Sequence, residues 1–225
     1  MADVMAAQAW ATNAELIADV ARLYIADDAL VVDPTYGEGT WWKTWRPERL
    51  TVKHRPSDGT DFRDLDEVDG TYDVAAYDPP YVCPGGRKTS TLPGFHDRYG
   101  MNEGGHADPM FSTPAELQQI INDGLTEMVR IVTTRGLVLV KCQDYIWSGK
   151  LWIGTHLTLT HGLDLGCELV DRFEMITTPR PQPTTNSDGS PRRQVHARRN
   201  LSTLLVLRTP KTRASQRALD LGGAA

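Results

Sequence analysis

Thr71-Tyr72-Asp73-Val74-Ala75-Ala76-Tyr77-Asp78-Pro79-Pro80-Tyr81 is the stretch on which the fold turns. Its first seven residues are β-prone and largely apolar, as in a buried strand. The two prolines fix φ twice and remove two backbone donors. Each also pushes the residue before it into an extended conformation. The chain therefore leaves the strand stiffly and without starting a helix. Open α/β sheets place their ligands at such strand ends. Free carbonyls there can accept hydrogen bonds, Asp78 adds a carboxylate, and Tyr81 adds an aromatic face. Acceptors beside a stacking surface suit an exocyclic amine on a flat heterocycle. A Pro-Pro pair after a strand is also often no more than a loop, so this stretch alone leaves function open.

Upstream, Ala29-Leu30-Val31-Val32 reads as a second short buried strand, followed by Asp33-Pro34-Thr35-Tyr36-Gly37-Glu38-Gly39-Thr40. The Gly-x-Gly turn lets the backbone pass close to a ligand that a side chain would exclude. By itself such a turn is more often only a tight turn. Two strand-end sites about 45 residues apart fit the ligand-binding edge of one doubly wound sheet.

Taken together, Asp33-Pro34-x-x-Gly37-x-Gly39-Thr40 followed by Asp78-Pro79-Pro80-Tyr81 resembles the S-adenosylmethionine-dependent amino-methyltransferases that modify adenine N6 or cytosine N4 in DNA. More narrowly, the chain is similar to small single-domain forms found in phages and actinobacterial genomes. Gly37-Glu38-Gly39-Thr40-Trp41-Trp42, Lys141-Cys142-Gln143-Asp144 and Gln194-Val195-His196-Ala197-Arg198-Arg199-Asn200 carry that closer likeness, which covers roughly residues 12–208. It implies a Rossmann-like class I methyltransferase fold: a mostly parallel seven-stranded sheet, the last strand antiparallel, with helices on both faces. The implied catalytic residues are Asp78, Pro79, Pro80 and Tyr81. The implied cofactor contacts are Asp33, Pro34, Thr35, Gly37, Gly39, Thr40 and Asp78, with Asp61 and Phe62 beside the cofactor's adenine. A solvated turn is the competing reading of Gly59-Thr60-Asp61. The acidic residue that would bind the ribose is not evident: His54 and Arg55 stand near its place, and Asp58 is the nearest acid.

Such an enzyme faces a definite chemical problem. An exocyclic base amine is a poor nucleophile because its lone pair is delocalised into the ring. Asp78 and the Pro79 carbonyl can each accept one amine hydrogen, which favours a pyramidal nitrogen and stabilises developing positive charge. Tyr81 can stack on the base. Aspartate at the first motif position resembles adenine enzymes more than the Ser-Pro-Pro-Tyr of cytosine N4 enzymes. The reading is thus an S-adenosylmethionine-dependent DNA adenine N6-methyltransferase. Its alternatives are cytosine N4, RNA, or a non-catalytic module that binds nucleic acid or a partner. Cys83 invites a C5-cytosine mechanism, but that family uses Pro-Cys and here the order is Cys83-Pro84.

Composition sets bounds. At 225 residues, with 40% hydrophobic and 24% charged residues, the chain suits one globular domain with a full core. We expect it over residues 12–208, with loop insertions near 82–112 and 177–200 and loose ends at 1–11 and 209–225. No apolar run approaches the ~20 residues that span a membrane, and the N-terminus lacks the pattern of a signal peptide. Cys83, Cys142 and Cys167 are widely spaced, which suggests free thiols and a reducing, cytoplasmic setting. No histidine–cysteine spacing favours a metal.

A net charge of −5 argues against a bulk nucleic-acid binder. Distribution matters more: Arg180, Arg192, Arg193, Arg198 and Arg199 share a Pro/Gly-rich stretch whose one acid is Asp188. Either it is a solvated loop or, given the motifs, a phosphate contact. The 82–112 insertion carries Arg87, Lys88, Phe95, His96, Arg98 and Tyr99, and is either a closing or nucleic-acid-contacting loop or a disordered one. The expected nucleic-acid contacts are Arg87, Lys88, Arg192, Arg193, Arg198 and Arg199.

The remaining elements alternate. Thr12-Asn13-Ala14-Glu15 and Thr113-Pro114-Ala115-Glu116 are helix starts. Leu50-Thr51-Val52-Lys53, Leu137-Val138-Leu139-Val140, 168–176 and 202–207 read as strands, and a helix is expected near 149–161. Trp41, Trp42 and Trp45 read as packing residues rather than a base platform.

Overall fold

The computed structural model describes residues 10–52, 61–81, 83, 111, 113–176, 189–190, 193–197 and 199–212. The six strands read from the sequence form, and two further short strands make a hairpin. They are β1 (Leu30–Asp33), β2 (Arg49–Val52), β3 (Tyr72–Tyr77), β4 (Val132–Cys142), a hairpin of β5 (Tyr145–Trp147) and β6 (Lys150–Trp152), β7 (Glu168–Ile176) and β8 (Leu201–Arg208). The main sheet runs β2-β1-β3-β4-β8-β7. β1 pairs in parallel with β2 and β3, and β3 with β4. β8 alone is antiparallel to its neighbours β4 and β7.

The apolar runs are continuous because both faces of the sheet are covered. Val31, Val74, Ala76, Leu137, Leu139, Leu204 and Val206 pack toward one core. Their sequence neighbours Val32, Ala75, Tyr77, Val138, Val140, Leu205 and Leu207 pack toward the other. Helix α1 (Asn13–Tyr24) covers the first face with Leu16, Ile17, Val20 and Ala21. Helix α2 (Pro114–Ile131) covers the second with Leu117, Ile121, Leu125 and Met128. Both helices open with the expected capping box, Thr12/Glu15 and Thr113/Glu116. Helix α3 (Gly154–Asp164) lies beside α2, where Gln118 Nε2 donates to Thr158 Oγ1 at 3.2 Å.

Three expectations are corrected. Among the described residues the sheet has six strands, not seven. Residues 61–71 make turns, tied to α2 by Leu65 N to Glu127 Oε1 (2.7 Å) and by the Arg130 guanidinium to the Leu65 and Glu67 carbonyls. The helix expected near 149–161 starts later, at Gly154, because Ser148 (φ 46°) and Gly149 (φ 76°) turn the chain into the β5–β6 hairpin. Val132, which in the sequence continues the helical spacing of Leu117, Ile121, Leu125 and Val129 and so is expected on the helix, already belongs to β4. No helix among the described residues is long and apolar enough to cross a membrane.

Candidate functional site

The C-terminal ends of β1, β3 and β4 meet at one edge of the sheet, with Asp33, Asp78 and Lys141 at their tips. Asp33 is buried. Its Oδ1 accepts from Thr35 N (2.9 Å) and Thr35 Oγ1 (3.4 Å), and its Oδ2 from Trp42 Nε1 (2.6 Å). Asp78 N donates to Thr35 Oγ1 at 2.8 Å, so one hydroxyl joins the two sequence motifs. Asp78 Oδ2 accepts from Trp41 Nε1 at 2.9 Å, while Asp78 Oδ1 is out of solvent and has no hydrogen-bond partner.

The turn after β1 makes this possible. Gly37 and Gly39 take positive φ (52° and 68°). At Gly39 the positive φ would strain any other residue, and a Cβ would sit 2.5 Å from Tyr36 Oη, so that ring would have to swing aside. Gly39 then opens a single 3-10 turn, Thr40–Trp42, which aims two successive indoles at two different carboxylates. Both tryptophans are buried, as expected of packing residues, but they also donate a hydrogen bond each. The sequence clue was available: a buried indole N–H needs an acceptor.

A cleft of about 240 Å³ opens over this arrangement. Its walls are residues 35–38, Thr40 and Trp41 after β1, Asp78 and Tyr81 after β3, and Asn13 at the start of α1. Pro79 and Pro80 are buried behind it, and Tyr81 packs partly against the core. Lys141 is fully buried, and its Nζ donates to Asn13 Oδ1 at 2.9 Å. A larger cavity of about 520 Å³ lies at the opposite end of the sheet, beside Asp28, Arg49, Asp73 and Arg135. That is the end where parallel strands begin, not the end where α/β sheets bind ligands.

Burial sets the charge of the site. Desolvation pushes the Asp33 carboxyl up to about 7, with hydrogen bonds from Trp42 and Thr35 opposing and the nearby Asp78 adding to the rise. Desolvation likewise lifts Asp78 to about 6, opposed by the Lys141 charge and the Trp41 hydrogen bond. Lys141 falls to about 8, again through burial, with Asp78, Cys142 and Glu174 pulling it back. Asp33 and Asp78 line the cleft and Lys141 lies buried beside them, a grouping of perturbed residues that makes this edge the candidate functional site.

Other expected residues stand elsewhere. Asp61 and Phe62, expected beside a cofactor's adenine, do not line this cleft. Asp61 is paired with Arg63 (2.6 Å) and borders a separate recess with Asp123 and Thr126. Phe62 is buried against Tyr77, ring centroids 5.6 Å apart. Arg193 and Arg199 are exposed on a segment held beside the β5–β6 hairpin. There His196 Nε2 donates to the Gly149 carbonyl at 2.6 Å, and Gln143 Nε2 to the Arg199 carbonyl at 3.4 Å. Arg87, Lys88, Arg180, Arg192 and Arg198 lie outside the described residues, as do His54, Arg55, Asp58, Phe95, His96, Arg98 and Tyr99. Among the described residues the three cysteines are buried and form no disulfide, and no cluster could hold a metal.

No family model matches the chain, and no curated protein matches it. Among solved structures it is similar to a candidate DNA modification methylase from Thermus thermophilus (10% identity, 67% of this chain, TM-score 0.41). The chain spans 52% of that protein's length. The same protein complexed with S-adenosyl-L-methionine gives 12% identity, 67% and 53% coverage and a TM-score of 0.41. A SAM-dependent methyltransferase from Methanosarcina mazei gives 8% identity over 86% of this chain and 98% of that one (TM-score 0.43). The [4+2]-cyclase SpnF gives 11% identity over 88% and 82% (TM-score 0.47). At these values the likenesses assign neither activity nor substrate.

Proposed function

We propose that this chain transfers a methyl group from S-adenosylmethionine to an exocyclic base amine of DNA, adenine N6 in particular. One observation carries the reading. Asp78 holds one carboxylate oxygen against Trp41 and turns the other, buried and unpartnered, to the rim of a cleft built on a Gly-x-Gly turn. A buried acceptor without a donor costs about 1–3 kcal/mol, and an amine hydrogen of the substrate would satisfy it.

The residues present fit the cofactor. The turn brings the bare backbone of Gly37 to the cleft, and Asp33, Thr35 and Thr40 line it, while Pro34 and Gly39 are buried. At about 240 Å³ the cleft is smaller than the ~300–1,000 Å³ of pockets that take a whole ligand. It therefore suits the methionine end. Contact of Asp61 with the adenine end would require that carboxylate to exchange Arg63 for the ligand. When bound, the cofactor supplies the activated methyl group.

The chain supplies position and charge. Asp78 Oδ1 accepts one amine hydrogen and turns the nitrogen lone pair toward the cleft; for the Pro79 carbonyl to accept the second, the base must reach past Asp78 to the buried prolines. Trp41 fixes the Asp78 carboxylate, and Thr35 fixes the Asp78 backbone. Tyr81 stacks on the base. The target amine is inaccessible inside a duplex, so the base must be flipped out or single-stranded. Arg193 and Arg199, with Arg87, Lys88, Arg192 and Arg198, would hold the backbone phosphates.

Nucleoside mass spectrometry tests this, on unmethylated DNA incubated with S-adenosylmethionine and the protein, with Asp78→Ala as control. N6-methyladenine from the wild type alone is expected. N4-methylcytosine would keep the mechanism and change the base. Cofactor binding without product on DNA or RNA would sink the enzymatic reading in favour of a binding module.

A further inference from the structure

Lys141 is the one fully buried cation among the described residues, and no step above uses it. Its position follows from register. Tyr77 pairs with Val140 across β3 and β4, so Asp78 and Lys141 are neighbours one step further on. Side chains alternate along a strand. Val74, Ala76, Leu137 and Leu139 face the α1 core, so Asp78 and Lys141 point to that same side, toward Trp41 and Asn13. Asn13 Oδ1 accepts from Lys141 Nζ at 2.9 Å and holds the ammonium end in place.

We propose that Lys141 is a positioning residue: its buried ammonium, clamped by Asn13, keeps the desolvated Asp78 carboxylate ionised at the edge of the cleft. The catalytic consequence rests on the methyltransferase reading; the pairing does not. A second carboxylate close by makes the cation necessary. Asp33 sits at the tip of the adjacent strand β1 on the same cleft, and two desolvated carboxylates disfavour each other's ionisation. The other groups facing the pair are few. Tyr36, Glu38 and Tyr81 share the cleft with Asp78. On the Lys141 side stand Cys142 and Glu174, and Glu174 is occupied by Thr203 Oγ1 (2.8 Å) and by Arg172. The pull of the Lys141 charge on the Asp78 carboxyl agrees in direction.

Trp41 provides a reporter that needs no activity, because its indole N–H is bonded to Asp78 Oδ2. The indole resonances of ¹⁵N-labelled protein would be followed from acid to alkaline pH, with Trp41 assigned by Trp41→Phe. In Lys141→Met the Trp41 midpoint should rise by about 1–3 pH units, the usual effect of losing one close opposite charge. An unmoved midpoint in folded Lys141→Met overturns the proposal. Should that variant not fold, Lys141→Gln keeps a polar end for Asn13 and is read the same way. The wild type gives an independent check: the Trp41 resonance should move a second time as Lys141 loses its proton, and a single inflection overturns the pairing. For catalysis, Lys141→Met should be slow at pH 7 and recover toward wild type at pH 9, which a packing defect would not do. A shifted Trp41 midpoint with no methylated base would leave the pairing standing and remove the methyltransferase reading. Methylation with an unmoved midpoint would do the reverse.

Discussion

At the scale of single residues, the site places two carboxylates where water is scarce and gives each its own indole donor. The consequence is a pH dependence with a definite sign. Asp78 must be ionised to accept amine hydrogens, and burial raises it to about 6. Methyl transfer should therefore climb with pH through a midpoint near 6, rather than near the ~4 of a solvated aspartate; a kcat/KM profile flat between pH 5 and 7 would contradict this. The carboxylates, the glycines and the proline exit were legible in the sequence, because each is a local signal. The partners of Trp41 and Trp42 were not. A 3-10 turn of three residues decides where two indoles point, and Asp78 lies 37 positions from Trp41.

At the scale of elements, the site depends on how closely α2 approaches β3. Gly124 faces Tyr77, and a Cβ there would lie 2.1 Å from Tyr77 Oη and 2.8 Å from Phe62 Cδ2. Tyr77 also donates to the Ile121 carbonyl at 3.2 Å. Gly124→Ala must displace the buried Tyr77 ring or part α2 from β3, so it should cost about 1–3 kcal/mol of stability, as overpacking does. Because Asp78 is the next residue, methyl transfer should fall too; equal denaturation midpoints would show that the helix yields freely. A second fastening is Arg130, which bonds Glu127, Asp69 and the carbonyls of Leu65 and Glu67. Arg130→Ala would leave the buried Glu127 without its charge partner and release residues 61–71. A loss of about 2–3 kcal/mol in urea unfolding is expected. Helix starts and strand runs were readable from caps and apolar periodicity. The β5–β6 hairpin was not, since Trp147-Ser148-Gly149-Lys150 becomes a turn only through two positive φ angles.

At the scale of the whole molecule, an acidic chain offers a small basic feature beside the β5–β6 hairpin. Arg193 and Arg199 are exposed on a segment docked on the hairpin that follows β4. Replacing both with alanine should weaken DNA binding, leave S-adenosylmethionine affinity unchanged, and flatten the salt dependence by about one unit of slope per lost phosphate contact. An unchanged salt slope would place the nucleic acid elsewhere. The sequence by itself determined the class of architecture. Strands apolar on both faces, alternating with capped helices, leave little besides a covered, mostly parallel sheet, and both ligand-edge motifs fall at strand ends. The turns of residues 61–71 were beyond it, because they are held by bonds to α2, far along the chain. Lys141 was also beyond it: a lysine ending an apolar run reads as the point where a strand reaches water. Only the packed sheet, which sets Asp78 beside it and Asn13 above it, shows that the charge stays inside.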